Sequence, residues 1–370
     1  MKLKQKITFF YTDGIEKQTT QPIADEALKR GYSVKFTDNI LEKAEIGIYC
    51  QHNCFPENSK FSVIMFHDLG QGHNRWPDIW HAEPWHKFNI GILSGKEWVK
   101  RWQNCSSYFY ARPKIGVFEL GWPKADDLFQ KDFKKNTDDL KNSLNLLHPV
   151  TILYAPSWEN DNKQDEFVQS LKNLPVNLLL KQAPWSKHYP EILKNIETMD
   201  KLHRNYKDNV FVADRNVSIM QYLKVADILV SDESSVLIEG LLLDIPAVAV
   251  TDWRIPDCSP PRLPSIPFDF VIKTAKKELN KTILNILSDI DKFKKQLETK
   301  KNNHFSLLGN SANSIMDLID NCVAGDFKNI KSIPPNKEKY NLSIKWFFKR
   351  WLFEKKLKLK IILKRYLKKV

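Results

Sequence analysis

The sequence has few cysteines and no long apolar run, and each shortage excludes a class of protein. Its five cysteines lie at scattered spacings, and this odd number argues against a disulfide framework and fits a reducing compartment. No window contains the roughly 18 consecutive apolar residues of a membrane-spanning helix. Residues 1–10 form a short basic start and a strand-like run without a small-residue cleavage site, so no secretion signal is predicted. We therefore expect the protein to stay inside the cell.

Metal-ligand patterns are also scarce. Cys50 and Cys54 flank His52, but no second Cys/His pair follows at zinc-like spacing. No dense carboxylate cluster is visible either. The sequence therefore predicts no metal site, and we expect no cofactor.

Acidic residues are nearly missing from the C-terminal end. The chain carries a net charge of +13, and residues 341–370 contain eleven Lys or Arg and one acid, so this segment holds +10 of the total. The rest of the chain is nearly neutral. The distribution of charge therefore indicates a basic segment appended to an ordinary globular body.

Short apolar runs alternate with helical patterns along most of the chain, as in parallel α/β units. Six strand-like runs, from KITFFYT to KIGVFELGWP, lie in residues 1–130, and five more, from TILYAP to AVAVTD, lie in residues 146–330. A polar stretch separates the two series. This pattern predicts an α/β fold of two doubly wound Rossmann-like domains with a cleft between them, followed by a tail at 338–370. Ligands of such folds sit at the carboxyl ends of the strands.

Two serines stand where a strand of the second series is predicted to turn into a helix. In VSDESSVLIEGLLLDIPAVAV the strand ends at Val230, and Ser234 and Ser235 open an apolar-periodic segment. Backbone N–H groups and hydroxyls at such a point suit a phosphate or diphosphate. Plain helix capping explains the same residues equally well.

Three segments of the chain occur in the same order in one known family. The first segment, DILVSDESSVLIEGLLLDIPAVAV, resembles a pattern of a strand, then (S/T)D-x-SS, then a helix with an acidic residue, then D-x-P before the next strand. The second, ILYAPSWEN, is similar to "LYAPTWR". The third, GWPKADDLF, is similar to "G-x-P-(R/K)-x-D-x-L". All three are features of the CDP-glycerol glycerophosphotransferases of teichoic-acid synthesis. The resemblance implies a GT-B fold, in which residues 1–130 are the acceptor domain and residues 146–330 the nucleotide-donor domain.

The resemblance also implies an activity. A glycerol-phosphate or related polyol-phosphate unit moves from a CDP-linked donor to a polyol-phosphate or glycan acceptor, in the synthesis of a teichoic-acid-like or capsular polymer. Ser234 and Ser235 then meet the donor diphosphate. Glu239 falls on the family's acidic helix position, where it contacts cytidine or ribose or is simply a solvated helix residue. Pro156, Ser157 and Trp158 fit a loop that lines the cleft.

The first domain supplies the candidate base. SVIMFHDLGQGHNRW places His67 at a strand end, where the family has a "WHG" histidine that accepts the proton of the acceptor hydroxyl. A neutral imidazole suits this task, and a structural histidine is the alternative. Asp68 replaces the family's glycine and either orients His67 or marks altered substrate contacts. Gly70 and Gly72 indicate a loop that allows close approach of substrate, and His73 is the reserve base.

A second departure concerns the donor. The family usually has K-x-H-P after the second strand of its C-terminal domain, whereas this chain has Lys181 and then Ala183 in place of the histidine. Lys181 still offers a point charge to a phosphate. His188 is a candidate substitute for the histidine, and Arg215 is a weaker phosphate candidate. A related CDP-polyol or a nucleotide sugar therefore stays open as the donor.

The tail sequence is LSIKWFFKRWLFEKKLKLKIILKRYLKKV. Its apolar residues fall at helical spacing with Lys or Arg between them, in one helix or two. This pattern predicts an amphipathic segment on an anionic membrane surface, which places the protein peripherally on the cytoplasmic face. The alternatives are a core-docking helix and a nucleic-acid arm; the body has no recognised nucleic-acid motif, so no nucleic acid is expected as a partner.

Competing functions also remain. One is a GT-B glycosyltransferase or a non-hydrolysing nucleotide-sugar epimerase. Another is a non-catalytic membrane-bound binding subunit, which the missing histidine favours. The sequence does not determine the oligomeric state.

Overall fold

The computed structural model describes residues 5–50, 53–66, 68–69, 83–185, 187, 189–206, 209–328, 330–337 and 344–367. Twelve strands form two six-stranded sheets in which all pairings are parallel. The first sheet contains β1 (Lys6–Phe10), β2 (Ser33–Thr37), β3 (Ala44–Tyr49), β4 (Ser59–Ile64), β5 (Ile90–Leu93) and β6 (Gly116–Glu119). The second contains β7 (Thr151–Tyr154), β8 (Asn177–Leu180), β9 (Val210–Val212), β10 (Ile228–Ser231), β11 (Ala247–Val250) and β12 (Ile272–Thr274).

The strand orders are those of doubly wound sheets. The first runs β2-β1-β3-β4-β5-β6 and the second β12-β11-β10-β7-β8-β9. Most central strands are buried along their length, because helices cover both faces. In the second sheet the order reverses between β7 and β10, which is the point where ligands bind in open α/β sheets. The predicted α/β fold with two Rossmann-like domains is confirmed.

Twelve α-helices connect and cover these strands in the described part of the chain. They are α1 (Gly14–Lys29), α2 (Lys96–Cys105), α3 (Phe133–Leu144), α4 (Lys163–Leu171), α5 (Pro190–His203), α6 (Ile219–Val225), α7 (Val236–Glu239), α8 (Leu279–Ser288), α9 (Ile290–Lys295), α10 (Glu298–His304), α11 (Ser311–Ala324) and α12 (Ile344–Leu367). None of them is both long and apolar enough to cross a bilayer.

The last helices of the second series return to the first sheet. Asp126, in the turn after β6, accepts hydrogen bonds from the amides of Ser311 and Ala312 at 3.2 and 2.7 Å and so caps α11. Arg30 at the end of α1 pairs with Asp317 and Asp320 of α11 at 2.7 and 2.9 Å. The two sheets are therefore linked by a helix as well as by the connection through α3.

The basic tail forms one helix, α12, that docks on the first domain by one side. Arg350 is only 5% exposed, and its Nε donates to Glu354 at 2.8 Å. Glu354 also pairs with Lys87 at 2.6 Å, and the Phe347 ring stacks on Phe109 at 5.5 Å. One side of α12 is therefore docked on the protein, as in the alternative of a core-docking helix. Large apolar side chains remain exposed on the rest of the helix.

The segment after β10 differs from the predicted long helix. α7 is only four residues, and residues 240–243 continue as a 3₁₀ turn. Asp244 then adopts the left-handed conformation at φ 56°, and Pro246 follows, so the chain cannot continue as a helix and enters β11 instead.

Candidate functional site

A cleft of about 820 Å³ lies between the carboxyl edges of the two sheets. The first domain contributes residues at the start of α1 and after β3, β4 and β6. The second contributes the loops after β7, β8, β10 and β11. This is the position predicted for a ligand site by the strand orders.

A buried ion pair fixes the loops after β7 and β10. Lys163 and Asp232 are 1% and 0% exposed, and their charged atoms lie 3.0 Å apart. Asp232 also accepts hydrogen bonds from the amides of Ser157 and Glu233, both at 2.7 Å, and Lys163 donates to the carbonyl of Trp158 at 2.9 Å. Burial alone raises the pKa of Asp232, but the Lys163 ammonium and the Ser157 donors hold it below its usual value. Asp232 therefore sets the shape of both loops as a carboxylate.

The donor loop, which we define as residues 232–235, lines the cleft with its last three residues. Ser234 and Ser235 both line the cleft, and the Ser234 hydroxyl accepts a long hydrogen bond from Val236 at 3.4 Å. Within the described residues, the amides of Ser234 and Ser235 and the Ser235 hydroxyl make no hydrogen bond to protein. Because α7 is short, any anion held here would depend on these amides and hydroxyls rather than on a helix dipole.

Lys181 brings a buried ammonium to the same cleft from the end of β8. It is 4% exposed and donates to the carbonyls of Gln182 and Arg215 at 3.1 and 2.8 Å. Burial, reinforced by the nearby Lys124 ammonium, lowers the pKa of Lys181 to about 8. Its ammonium is therefore partly deprotonated just above neutral pH.

A second buried ion pair joins the two domains. Lys124, in the turn after β6, donates to Glu239 of α7 at 2.7 Å, and the two residues are 2% and 1% exposed. Both line the cleft. Glu239 thus contacts the opposite domain directly.

Arg262 pairs with the donor loop and lines the cleft beside it. It lies in the Pro-rich segment after β11 and pairs with Glu233 at 2.7 Å and with Asp257 at 2.7 Å. Glu233 also accepts from the amide of Ser265 at 2.7 Å. The Pro-rich segment is therefore held against the donor loop.

Behind the loops after β7 and β8 lies a buried carboxyl group. Glu159 is 1% exposed and accepts hydrogen bonds from the Tyr154 hydroxyl and the Gln182 amide, both at 2.7 Å. Burial raises the pKa of Glu159 to about 7, although the Tyr154, Gln182 and Gln164 donors and Lys163 act in the opposite direction. Glu159 occupies the position of the arginine in the family's "LYAPTWR".

Three acidic residues accompany Lys124 on the first-domain side of the cleft. Asp13, Glu16 and Asp68 line it, and we call these three residues the acidic face. Opposite them, Trp158, Trp185 and Tyr189 form a cluster that we call the aromatic wall.

The structure brings most of the predicted site residues together. The cleft lining includes eight of them: Asp68, Pro156, Ser157, Trp158, Lys181, Ser234, Ser235 and Glu239. Arg215 is outside this lining, and its carbonyl accepts from Lys181. Five candidates lie outside the described residues: His67, Gly70, Gly72, His73 and His188. Ala183, where the family has histidine, also lines the cleft.

Several cleft residues were not predicted from the sequence. Lys124 stands at the (R/K) of the quoted GWPKADDLF segment, so its motif position was a signal for it. Trp185 and Tyr189 follow Ala183 closely, and Asp13 and Glu16 form a capping box at the start of α1. Neither pattern distinguishes a cleft residue from an ordinary loop or cap.

The fold and the cleft define a GT-B-like protein, and comparison with known proteins identifies the family. The family model described as CDP-Glycerol:Poly(glycerophosphate) glycerophosphotransferase matches residues 101–321. The chain therefore belongs to this family, which confirms the resemblance. A teichoic acid glycerol-phosphate primase from Bacillus subtilis (strain 168) is 26% identical over 196 residues. The match spans 47% of this chain and 49% of the primase, about half of that relative's length.

Solved structures share the architecture. The wall teichoic acid polymerase TagF superposes with a TM-score of 0.61 at 14% identity, and the alignment covers 89% of this chain and 91% of that one. The UDP co-structure of MnaA from S. aureus superposes with a TM-score of 0.58 at 12% identity, with 89% and 99% coverage. At these identities the likeness shows the fold alone.

Proposed function

We propose that the chain transfers a glycerol-phosphate or related polyol-phosphate unit from a CDP-linked donor to a polyol-phosphate or glycan acceptor. The observation that carries the proposal is that unpaired donor-loop amides and the Lys181 ammonium share one cleft in a member of this family. Both groups suit a diphosphate. A solved structure of TagF was obtained after soaking with CDPG, and the primase is named for the same unit.

The proposed chemistry is a single displacement at phosphorus. An acceptor hydroxyl oxygen attacks the glycerol-bearing β-phosphorus, the bond from that phosphorus to the CMP oxygen breaks, and CMP leaves. His67 would take the hydroxyl proton. Its chain neighbour Asp68 lines the cleft on the side opposite the donor loop, which supports this assignment. Ser234, Ser235 and Lys181 would stabilise the charge on the diphosphate and on the leaving CMP.

Nucleotide release from a panel of donors tests the proposal. CDP-glycerol, CDP-ribitol and several UDP-sugars are each incubated with the full chain and a mixture of acceptors. We expect CMP release from a CDP-polyol and no UDP release. UDP release alone would replace the proposal with a glycosyltransferase, and no release from any donor would favour a binding subunit.

Matched variants locate the chemistry. Ser234→Ala combined with Ser235→Ala should lower kcat/KM by roughly 10²–10³ if these groups hold the diphosphate in the transition state. Ser288→Ala, an exposed serine at the end of α8, is the control. His67→Ala should abolish transfer, whereas His148→Ala should leave it unchanged. A His67→Ala enzyme with near-normal turnover rules out the assigned base.

We also propose that α12 holds the protein on an anionic membrane at the cytoplasmic face. The helix exposes a set of large apolar side chains: Phe347, Phe348, Trp351, Phe353, Leu359, Ile362 and Leu363. Exposed lysines accompany them at positions 345, 349, 355, 356 and 360. Inserted apolar groups and lysines near anionic headgroups act together at an interface.

Sedimentation with liposomes tests this assignment. The full chain should sediment with vesicles containing anionic lipid, and less so at high salt. Phe348→Ser with Trp351→Ser should reduce binding without unfolding the protein, because both side chains are more than half exposed. Undiminished sedimentation of this variant, or of a chain ending at Asn341, would contradict the role of α12.

A further inference from the structure

The donor loop contains a carboxylate beside the groups proposed to bind the diphosphate. Glu233 lines the cleft with Ser234 and Ser235, and its Cα lies about 3.8 Å from that of Ser234, as for any two consecutive residues. A carboxylate this close to a bound anion opposes binding, because like charges repel. Asp232, the other acidic residue of the loop, pairs with Lys163 inside the domain. Glu233 therefore needs a partner of its own if this loop is to hold a diphosphate.

Arg262 provides that partner with two parallel hydrogen bonds. Its Nη1 donates to Glu233 Oε2 at 2.7 Å, and its Nη2 donates to Oε1 of the same carboxylate. The amide of Ser265 also donates to Oε2, at 2.7 Å. Paired bonds of this kind fix the direction of a carboxylate and also offset its charge. The Glu233 carboxylate is thus held toward the Pro-rich segment that contains Arg262 and Ser265.

Arg262 lines the cleft, but its N–H groups are already used. Besides the two bonds to Glu233, Nε and Nη2 donate to Asp257 at 2.9 and 2.7 Å, and Nη1 donates to the carbonyl of Leu263 at 3.2 Å. A guanidinium has five N–H groups, and these five bonds account for all of them. Arg262 therefore acts on a ligand through the position and charge of Glu233 rather than by direct hydrogen bonding.

No other cation of the described cleft lining pairs with Glu233. Its one ion pair among the described residues is with Arg262. Lys124 pairs with Glu239 instead. Lys181 follows β8, which is separated from β10 by β7, so the two strand ends are roughly 10 Å apart. Removing Arg262 would therefore leave the Glu233 carboxylate uncompensated in the donor loop.

We infer that Arg262 is a positioning residue for the donor: it neutralises Glu233 and holds it aside, so that Ser234 and Ser235 can bind a diphosphate. The inference rests on the proposed function, because it assigns a role at the proposed donor site. The competing explanation is purely structural, and in it the contact between Arg262 and Glu233 only fastens the Pro-rich segment. The two explanations predict opposite results when Glu233 loses its charge.

Binding of inorganic pyrophosphate to the full chain, measured by isothermal titration calorimetry at low salt, tests the inference. Glu233, Asp257 and Arg262 together carry two negative charges and one positive charge, a net charge of −1. Arg262→Gln makes this charge −2 and should weaken binding roughly tenfold, whereas Glu233→Gln makes it zero and should strengthen binding about threefold. Both shifts should shrink at high salt, because salt screens partly exposed charges.

A double variant and two single variants sharpen the test. Glu233→Gln combined with Arg262→Gln should recover most of the affinity that Arg262→Gln loses, because no carboxylate is then left at position 233. Arg262→Lys keeps the charge without the paired donors and should lose less affinity than Arg262→Gln. The control is Arg254→Gln, which should leave pyrophosphate binding unchanged. Arg254 is exposed, also follows β11, donates to the carbonyl of Pro261 at 3.0 Å and lies outside the described cleft lining.

The sign of the Glu233→Gln effect decides between the two explanations. If this variant weakens pyrophosphate binding, the contact is structural and the inference is wrong, whether or not Arg262→Gln folds. A parent protein without measurable pyrophosphate binding would overturn the inference as well.

The same measurements separate this inference from the proposed function. If no donor releases CMP but the two single variants shift pyrophosphate binding in opposite directions, the proposed function fails and the role of Arg262 in binding a diphosphate stands. If CMP is released but both variants weaken pyrophosphate binding, the role of Arg262 fails alone.

Discussion

Two buried ion pairs line or support the cleft, and they differ in the number of further hydrogen bonds that their charged groups make. Lys163–Asp232 lies within the second domain; Asp232 also accepts hydrogen bonds from the amides of Ser157 and Glu233, and Lys163 also donates to the carbonyl of Trp158. Lys124–Glu239 joins the two domains through one contact of 2.7 Å, and both residues border the cleft. The first pair is enclosed by backbone groups of its own domain, and the second depends on the position of the opposite domain.

This difference separates a rigid part of the site from an adjustable one. Breaking a buried pair is costly when the remaining charge stays enclosed. It costs less when water can reach that charge, which a separation of the two domains would allow for Lys124 and Glu239. The loops that present Ser157 and Ser234 should therefore keep their shape while the domains move relative to each other. Four predictions break or sharpen this comparison.

The largest effect is expected from Asp232→Asn. This change leaves the Lys163 ammonium buried without its counter-ion and should lower the free energy of unfolding by about 3–5 kcal/mol. Because the folded pKa of Asp232 is lowered, its contribution is present above the ordinary value of 3.8 and is lost as pH falls below it. Urea unfolding at pH 7 measures the cost, and the same titrations at lower pH should show the gap to the parent closing.

The matched control for that prediction is the double variant Lys163→Met with Asp232→Asn. Removing both charges should recover part of the lost stability, since no ion is then left unpaired. A loss below about 1 kcal/mol for the single variant would mean that the pair is not enclosed.

Glu159→Gln tests the buried carboxyl group behind the same loops. Burial raises the pKa of Glu159 from 4.5 to about 7, so the folded protein holds a proton that the unfolded chain has released in this interval. Stability should therefore fall as pH rises from about 4.5 to 7, by roughly 3 kcal/mol for this group alone. Urea unfolding at pH 5, 6, 7 and 8 should show a flatter profile for the variant. Parallel profiles would show that Glu159 does not titrate there.

Glu239→Gln tests the adjustable pair. Lys124 and Glu239 are 2% and 1% exposed, but a separation of the domains would give water access to the remaining Lys124 charge, so the loss should be about 1–2 kcal/mol, clearly below that of Asp232→Asn. A double-mutant cycle with Lys124→Met, measured by urea unfolding, gives the coupling between the two side chains. If Glu239→Gln lowers the free energy of unfolding as much as Asp232→Asn does, the contrast between the two pairs disappears. The two domains would then form one rigid unit at this contact.

Most of the fold could be predicted from the sequence, because its strands, although only three to six residues long, lie in apolar runs between turn residues. All eleven predicted runs contain strands of the two sheets. Three elements differ from what the sequence pattern indicates, each for a local reason. β12, with the sequence IKT, has one apolar residue in three, whereas the equally short edge strand β9, VFV, is apolar throughout. α3 lies in the polar stretch predicted as a boundary, and it buries little more than Phe133 and Thr137. α1 begins at Gly14, whereas its helical sequence pattern, PIADEALKRG, starts only at Pro22, because the Asp13–Glu16 capping box fixes the start of the helix.

The site was predictable only where one segment carries the signal. Ser234, Ser235, Ser157 and Lys181 stand at the ends of predicted strands, and parallel topology brings such ends to one edge. The pairing of Lys124 with Glu239 spans two domains. Contacts of this kind depend on how the domains face each other, which no local pattern specifies.

The smallest effect is expected from Lys181→Arg. This variant tests Lys181, the one cation of the described cleft lining that forms no ion pair with a carboxylate. Burial lowers the pKa of Lys181 to about 8, so its ammonium loses its proton as pH rises through that value. The KM for CDP-glycerol should then rise about three- to tenfold between pH 7 and pH 9. Arginine stays charged throughout this range, so the variant should show a flat KM profile, while Lys172→Arg, a control on the exposed surface, should behave like the parent. Profiles that rise in parallel for Lys181→Arg and the parent would place the titrating group elsewhere and leave the donor's phosphates to the loop amides alone.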